Sequence, residues 1–256
     1  MDCRNRNTPP PIRCWLIALL LAMATPLRAA AQEPIDRPGH SELSTLFASP
    51  GFRNNMLDKI GRPVLAAGTR SVLGHQAVSP ARYVADLNYY ASPGISRTLG
   101  QQIASSVVDA DPGQTRHIRE LLASGRVWQR FDRVLSGTGY SSRNLADVMA
   151  WYYVTSWEII NEQDAPPALY RAVRDQIAES LQYSPEVLFM SNAEKQRVSE
   201  SIGIMCTIVD DGSQQLRDQG DQIGYLAVQN AVRESLLEQG LDMKRLRLTR
   251  RGFSTQ

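Results

Sequence analysis

Residues 191–217 read SNAEKQRVSESIGIMCTIVDDGSQQLR. Ser191 and Glu194 stand at the S-x-x-E spacing of a capping box, in which hydroxyl and carboxylate each satisfy an N–H group that opens a helix. Val198, Ile202, Met205, Val209, Gly212 and Leu216 follow at steps of 4, 3, 4, 3 and 4. At 3.6 residues per turn such steps fall on one face, and Ile204 and Ile208 broaden it. The spacing predicts a long helix that packs along its whole length. Gly212 marks either a close helix approach or a kink. Cys206 shares the face of Ile202 and Val209 and reads as a small buried hydrophobe. A reactive thiol needs a base and an electropositive setting, and the local sequence offers neither.

Working outward, helical punctuation repeats from Tyr83 onward. Ser92-Pro93 opens a segment to about Val108; Asp111-Pro112 opens another, closed by Gly125. A third covers about 127–135 and stops at the SGTG run 136–139. The aromatic segment 142–163 follows, then a helix after Pro166-Pro167 with the stripe Leu169, Val173, Ile177, Leu181. Ser184-Pro185 starts a short turn, and after Gly220-Asp221 a last helix runs to Gly240. Strand-like alternation is confined to a short extension at 244–249. The expected fold is all-α, a single bundle of about six to eight helices with a short extended C-terminal segment, spanning 81–256.

Residues 32–80 differ, with five Pro and five Gly in 49 positions, twice the density of 81–240. They read as a linker or loosely docked arm with at most a short helix near Ser41–Ala48, or else as an irregular but ordered part of the domain. Residues 1–31 have the form of a signal peptide. Arg4, Arg6 and Arg13 precede the apolar run WLIALLLAMA (15–24), and Ala29-Ala30-Ala31 offers cleavage before Gln32. The run is too short for a stable transmembrane span, which takes roughly 20 residues. A periplasmic or secreted location is expected.

Removing that segment changes the electrostatics. It holds four Arg and one Asp, so 24 basic and 25 acidic residues remain of the 28 and 26 in the whole chain. A near-neutral chain has no long-range field for nucleic acid. Of Cys3, Cys14 and Cys206 only the last remains, so no intrachain disulfide is expected.

Chemistry is sparse. On the helix 142–163 a narrow polar strip holds Asn144, Asp147, Thr155, Glu158 and Glu162, with Trp151 among them. Asp147 and Trp151, four residues apart, are the best candidate ligand-binding pair; otherwise Trp151 half-covers the core edge while Asp147 bonds its indole or a helix terminus. Asp147 and Glu158 are the weak catalytic alternative, as carboxylates of a polymer hydrolase. Eleven residues set them about 16 Å apart along the axis, beyond the roughly 5–9.5 Å of paired glycosidase acids, so a second acid from another helix is required. His40, His75 and His117 form no metal-ligand pattern, although His117 and Glu120 stand three apart. Asp109-x-Asp111 and Asp210-Asp211-Gly212 are incomplete calcium loops, read as a helix cap and a helix-surface acidic pair. No metal or cofactor is expected. Lys244, Arg245, Arg247, Arg250 and Arg251 form the one basic cluster; alternation with Leu246 and Leu248 suggests leucines toward the domain and arginines toward solvent, with an anionic polymer or acidic partner as the sharper alternative.

Three stretches carry a resemblance: LADVMAWYYVTSWEI (145–159), RAVRDQIAESL (171–181) and GLDMKRLRLTRRGF (240–253). On these the chain from about Ser92 to Phe253 resembles a family of exported proteobacterial proteins catalogued as a domain of unknown function. The resemblance implies an exported helical domain ending near Phe253 and brings no activity with it. The sequence thus points to a non-enzymatic binding module of the cell envelope, whose partner is an envelope or extracellular protein or polymer, with an envelope-polymer hydrolase as the alternative.

Overall fold

The computed structural model describes residues 61–74, 83–106 and 112–255. Nine α-helices stand among them: α1 (Gly61–Val72), α2 (Pro93–Ser106), α3 (Pro112–Ala123), α4 (Arg126–Thr138), α5 (Leu145–Asn161), α6 (Pro167–Leu181), α7 (Pro185–Leu188), α8 (Asn192–Asp218) and α9 (Gln222–Glu238). A 3-10 turn, Met243–Arg245, leads into the antiparallel strands β1 (Leu246–Thr249) and β2 (Gly252–Thr255). Leu246 lies opposite Thr255 and Thr249 opposite Gly252. The fold is all-α with a small C-terminal hairpin. The second strand and α1 are the elements that the sequence did not announce.

α5 is the hub, buried at every position from Leu145 to Ile160 and packed by α6, α8 and α9. A helix buried on all sides needs partners for its end groups. At the start, Asn144 accepts from the N–H groups of Ala146 and Asp147, so the helix opens three residues later than 142. At the other end Glu162 turns into the left-handed region (φ 55°), and its N–H reaches Glu158 O. Tyr225 Oη and Gln229 Nε2 on α9 donate to Ile159 O at 3.1 and 2.9 Å. The side chains of α9 thus close the C-terminus of α5.

On α8 the Ser191–Glu194 capping box forms as expected, and Val198, Ile202, Met205, Gly212 and Leu216 of the seam are buried. A close approach on this helix falls at Gly203. A β-carbon there would lie 2.3 Å from the Phe131 ring of α4, far inside contact distance, so the ring packs flat on helix backbone.

Between 61 and 90 the structure corrects two expectations. Residues 61–72 are helix, not arm: Val64, Leu65, Ala67 and Val72 are buried, and Pro63 sits in the first turn, where its missing N–H costs nothing. Gly68 lets α1 reach α5, since a β-carbon there would meet Met149 Cε at 2.5 Å and Tyr153 Oη at 2.8 Å. Tyr153 Oη donates to Leu65 O at 3.0 Å. Residues 83–90, where no alternation was expected, are an extended strap ahead of α2, with Ala85, Leu87 and Tyr89 buried and Val84, Asp86, Asn88 and Tyr90 exposed. Ala85 N–H donates to Gln182 O, Tyr89 N–H to Arg143 O, and Leu145 N–H back to Leu87 O. The expected signal segment, its expected cleavage point near Ala31, the expected short helix near Ser41–Ala48, Asp109-x-Asp111, His40 and His75 lie outside the described residues, as does the side chain of His117.

Gln176 on α6 joins the two ends of this architecture. Its Nε2 donates to Ser71 O on α1 and to Phe253 O on β2, both at 3.0 Å, while its Oε1 accepts from Phe253 N–H at 2.7 Å. Gly252 (φ 95°) has no room for a side chain there, because a β-carbon would lie 2.1 Å from that same Oε1.

Candidate functional site

The two carboxylates of the polar strip on α5, Asp147 and Glu158, face α6 and are covered by it. Asp147 is 8% exposed; its Oδ1 accepts from Arg174 Nε and its Oδ2 from Ser141 N–H, both at 2.9 Å. Glu158 is 6% exposed, and its Oε1 accepts from Ala165 N–H at 2.8 Å and Tyr170 Oη at 3.0 Å. Trp151 is buried, its ring 5.9 Å from that of Phe131. The structure therefore does not bring Asp147 and Trp151 to an open surface. Nor does it give Asp147 and Glu158 a cleft: each carboxylate is spent joining α5 to α6 or its preceding loop. Hydrolysis of a polymer needs a carboxyl that can meet substrate and water; both carboxyls of α5 are buried and hydrogen-bonded here.

A second buried acid escaped the sequence reading. Glu200 on α8 accepts from Trp128 Nε1 at 2.8 Å on one oxygen, and from Gln196 Nε2 at 2.8 Å and Ser96 Oγ at 2.9 Å on the other. Burial raises its pKa above the ordinary glutamate value, against those three donors. Gln196 also clasps Ser92, accepting from its N–H at 2.8 Å and donating to its carbonyl at 2.9 Å. The network fixes α2 and α4 on α8. Its one trace in the sequence is a Gln and a Glu four residues apart, on the side of α8 away from the apolar seam.

The pair Asp210-Asp211 is not a free surface pair. Asp210 is buried, and Asp211 pairs with Arg130 of α4, with about a quarter of its side chain open to solvent (24%). Burial first, then Asp210, push its carboxyl up to about 7, while Arg130 opposes them. Cys206 is buried beside this acidic turn. Its thiol is held well above the usual range by burial and by Asp210, a setting that disfavours nucleophilic chemistry. Among the described residues no three His, Cys, Asp or Glu side chains are grouped to hold a metal ion. Nor is any helix among them long and apolar enough to cross a membrane.

What does face solvent is apolar. Tyr90 is 86% exposed and Phe189 84%, values unusual for large aromatic side chains. The backbone of Tyr90 is held at the head of α8: its N–H donates to Asn192 Oδ1 at 2.8 Å, and Asn192 Nδ2 donates to its carbonyl at 2.7 Å. Phe189 stands three residues before Asn192, within about 11 Å of it by chain reach. Tyr83 and Val84 at the head of the strap are also exposed. The strap is further pinned where Lys195 Nζ donates to Asp86 O. Exposed aromatic side chains beside pinned backbone make this edge a candidate interaction surface. The sequence concealed it because Tyr90 and Phe189 are 99 positions apart and neither belongs to a periodic stripe.

The basic cluster is a second solvent-facing feature. Lys244, Arg245, Arg247, Arg250 and Arg251 are exposed, while Leu246 is buried and its carbonyl accepts from Trp157 Nε1 at 3.0 Å. Arg245 leans on Asp242 at 3.5 Å.

No curated protein and no solved structure matches the chain. Residues 66–256 match the model of a family of unknown function, DUF6683, a span that takes in most of α1 and both strands as well as the stretches that carried the resemblance, and the chain belongs to that family.

Proposed function

We propose that the chain is an exported helical module that works by binding, not catalysis, in the periplasm or outside the cell. Its partner is an envelope or extracellular protein or polymer, and no cofactor is required. The observation that carries this reading is the aromatic edge. Tyr90 and Phe189 each keep more than four-fifths of their surface in water, and the backbone of Tyr90 is clamped by Asn192, three residues after Phe189. Burying such rings against a partner releases their hydration without a large ordering cost. The engaged carboxylates of α5 support the non-catalytic half, and the form of residues 1–31 supports export.

The test is site-specific photocrosslinking in cells, with a photoreactive residue placed at Tyr90, at Phe189, and at Ile223 on α9. Ile223 serves as control because it is equally exposed (83%). A light-dependent adduct of one mass from positions 90 and 189, absent from 223, is expected. No adduct, or the same adducts from all three positions, would remove the binding surface. Recovery of the chain in the cytoplasm with residues 1–31 retained would remove export. Turnover of an envelope polymer, abolished by Asp147→Ala or Glu158→Ala in a folded variant, would reverse the non-catalytic assignment.

A further inference from the structure

Gln129, Asp132, Arg133 and Ser136 are spaced 3, 1 and 3 along α4, so they share one exposed face of that helix. Together with the loop 140–143 ahead of α5 this face encloses an open groove of about 590 Å³, within the roughly 300–1,000 Å³ of small-molecule sites. The loop wall is fixed by hydrogen bonds of its own. Ser141 N–H donates to Asp147 Oδ2 at 2.9 Å, Arg143 N–H to Ser141 Oγ at 3.2 Å, and Tyr89 Oη to Ser142 O at 2.6 Å. Ser142 Oγ also donates across to Asp132 Oδ1 on the helix wall. A wall held in this way needs little further ordering when a ligand arrives.

Each wall contributes one arginine, Arg133 from α4 and Arg143 from the loop. Both are exposed, and among the described residues neither pairs with a carboxylate, whereas Arg70, Arg130 and Arg174 each do. The groove has one acid, Asp132, whose Oδ1 is engaged by Ser142 and whose Oδ2 has no donor among the described residues. Two guanidiniums against one carboxylate leave the lining at +1. A bare anion would meet Asp132 as well as the arginines. A ligand with hydroxyls beside its carboxylate gives every group its complement: the carboxylate for the guanidiniums, and hydroxyl donors for Asp132 Oδ2. The Gln129 amide and the Ser136 hydroxyl can both donate and accept. An open groove also admits a unit in the middle of a chain, which a closed pit does not.

We propose that this groove is a binding site for an acidic saccharide, a uronate-type unit within a polymer chain. Its carboxylate meets Arg133 and Arg143, and its hydroxyls meet Asp132, Gln129 and Ser136. The groove shares no residue with the aromatic edge, so the two sites stand or fall separately.

Backbone amide resonances of Arg133 and Arg143 in the purified protein report on the groove. Arg247 on β1 is the control, because it is equally open to solvent but belongs to the other basic cluster. The probes are a galacturonate trimer, its methyl ester, which keeps hydroxyls and loses charge, and tricarballylate, which carries three carboxylates and no hydroxyl. A saturable shift of Arg133 and Arg143, with Arg247 unmoved, is expected for the trimer. The ester and tricarballylate should each bind about tenfold more weakly or worse, since each leaves part of the lining unmet. Arg133→Gln and Arg143→Gln, both at exposed positions, should each weaken the trimer by a similar factor. Asp132→Asn should narrow the gap between trimer and tricarballylate. No saturable shift with the trimer, or an equal shift of Arg247, would overturn the site. Tricarballylate as tight as the trimer would overturn the saccharide, and the ester as tight as the trimer would overturn the role of the arginines. A gap unchanged by Asp132→Asn would overturn the role of Asp132.

Discussion

Arg174 donates from Nε to Asp147 Oδ1 at 2.9 Å, joining α6 to the first turn of α5. Asp147 keeps 11% of its side chain exposed and Arg174 37%. Breaking a fully buried pair by removing one member costs about 3–5 kcal/mol; solvent around Arg174 reduces that here. Arg174→Ala should therefore destabilise by about 1–2 kcal/mol in chemical denaturation. Asp147→Asn should cost less, because it retains an acceptor for Ser141 N–H. Were Asp147 a catalytic group instead, Asp147→Asn would leave stability unchanged while removing an activity.

Glu200 makes stability depend on pH in a definite direction. Its folded pKa lies above the ordinary value near 4.5, so in the window upward from there the native state binds more protons than the unfolded chain. Stability then falls as pH rises through that window and flattens once the folded group has ionised. Glu200→Gln, which cannot ionise, should remove this part of the slope when Tm is followed from pH 4 to 9. A slope unchanged by the substitution would show that Glu200 is not its source.

Glycine positions on two helices should respond in opposite ways to alanine. Propensity alone favours alanine by about 1 kcal/mol in a helix. At Gly203 the added methyl would drive into Phe131 at 2.3 Å, and overpacking costs about 1–3 kcal/mol, with the ring further confined by Trp151. Gly203→Ala should be destabilising by about 1–2 kcal/mol. At Gly137 nothing lies within 4 Å, so Gly137→Ala should be neutral or stabilising by up to about 1 kcal/mol. Denaturation midpoints of the pair, measured side by side, decide the matter.

Gln176→Ala removes three hydrogen bonds to the backbone of two distant segments. At roughly 0.5–1.5 kcal/mol each, the expected loss is about 2–3 kcal/mol. Amide exchange gives the more specific readout: Phe253 N–H loses its acceptor and should exchange faster than amides in the middle of α5, which open only on global unfolding.

The long helices were legible because their signals are local. The Ser191–Glu194 box and the stepped apolar seam of α8 are contained within 27 residues and needed no knowledge of neighbours. α1 was concealed by Pro63 and Gly68, which read as loop residues; in the fold one occupies a first turn and the other makes room for Met149 and Tyr153. The strap 83–90 does alternate, but over a stretch too short to stand out from the helical punctuation after it. The candidate site was less legible for a related reason. Asp147, Trp151 and Glu158 stand out on an apolar helix, yet their burial is decided by Arg174, Phe131 and Tyr170, residues 12 to 27 positions away on other helices. A polar strip on a helical wheel looks the same whether water or a second helix covers it.

The burial of α5 on every side bears on how the chain must be made. Of the helices around it, α1 and α4 precede α5 in the chain, whereas α6, α8 and α9 follow it. A nascent chain therefore carries an incompletely covered apolar rod from the synthesis of Asn161 until that of Glu238, an interval of 77 residues. At about 5–20 residues per second that exposure lasts several seconds to about a quarter of a minute, far longer than helix formation or collapse requires. Reaching the native state thus rests on keeping that rod from sticking to anything else until the last third of the chain arrives.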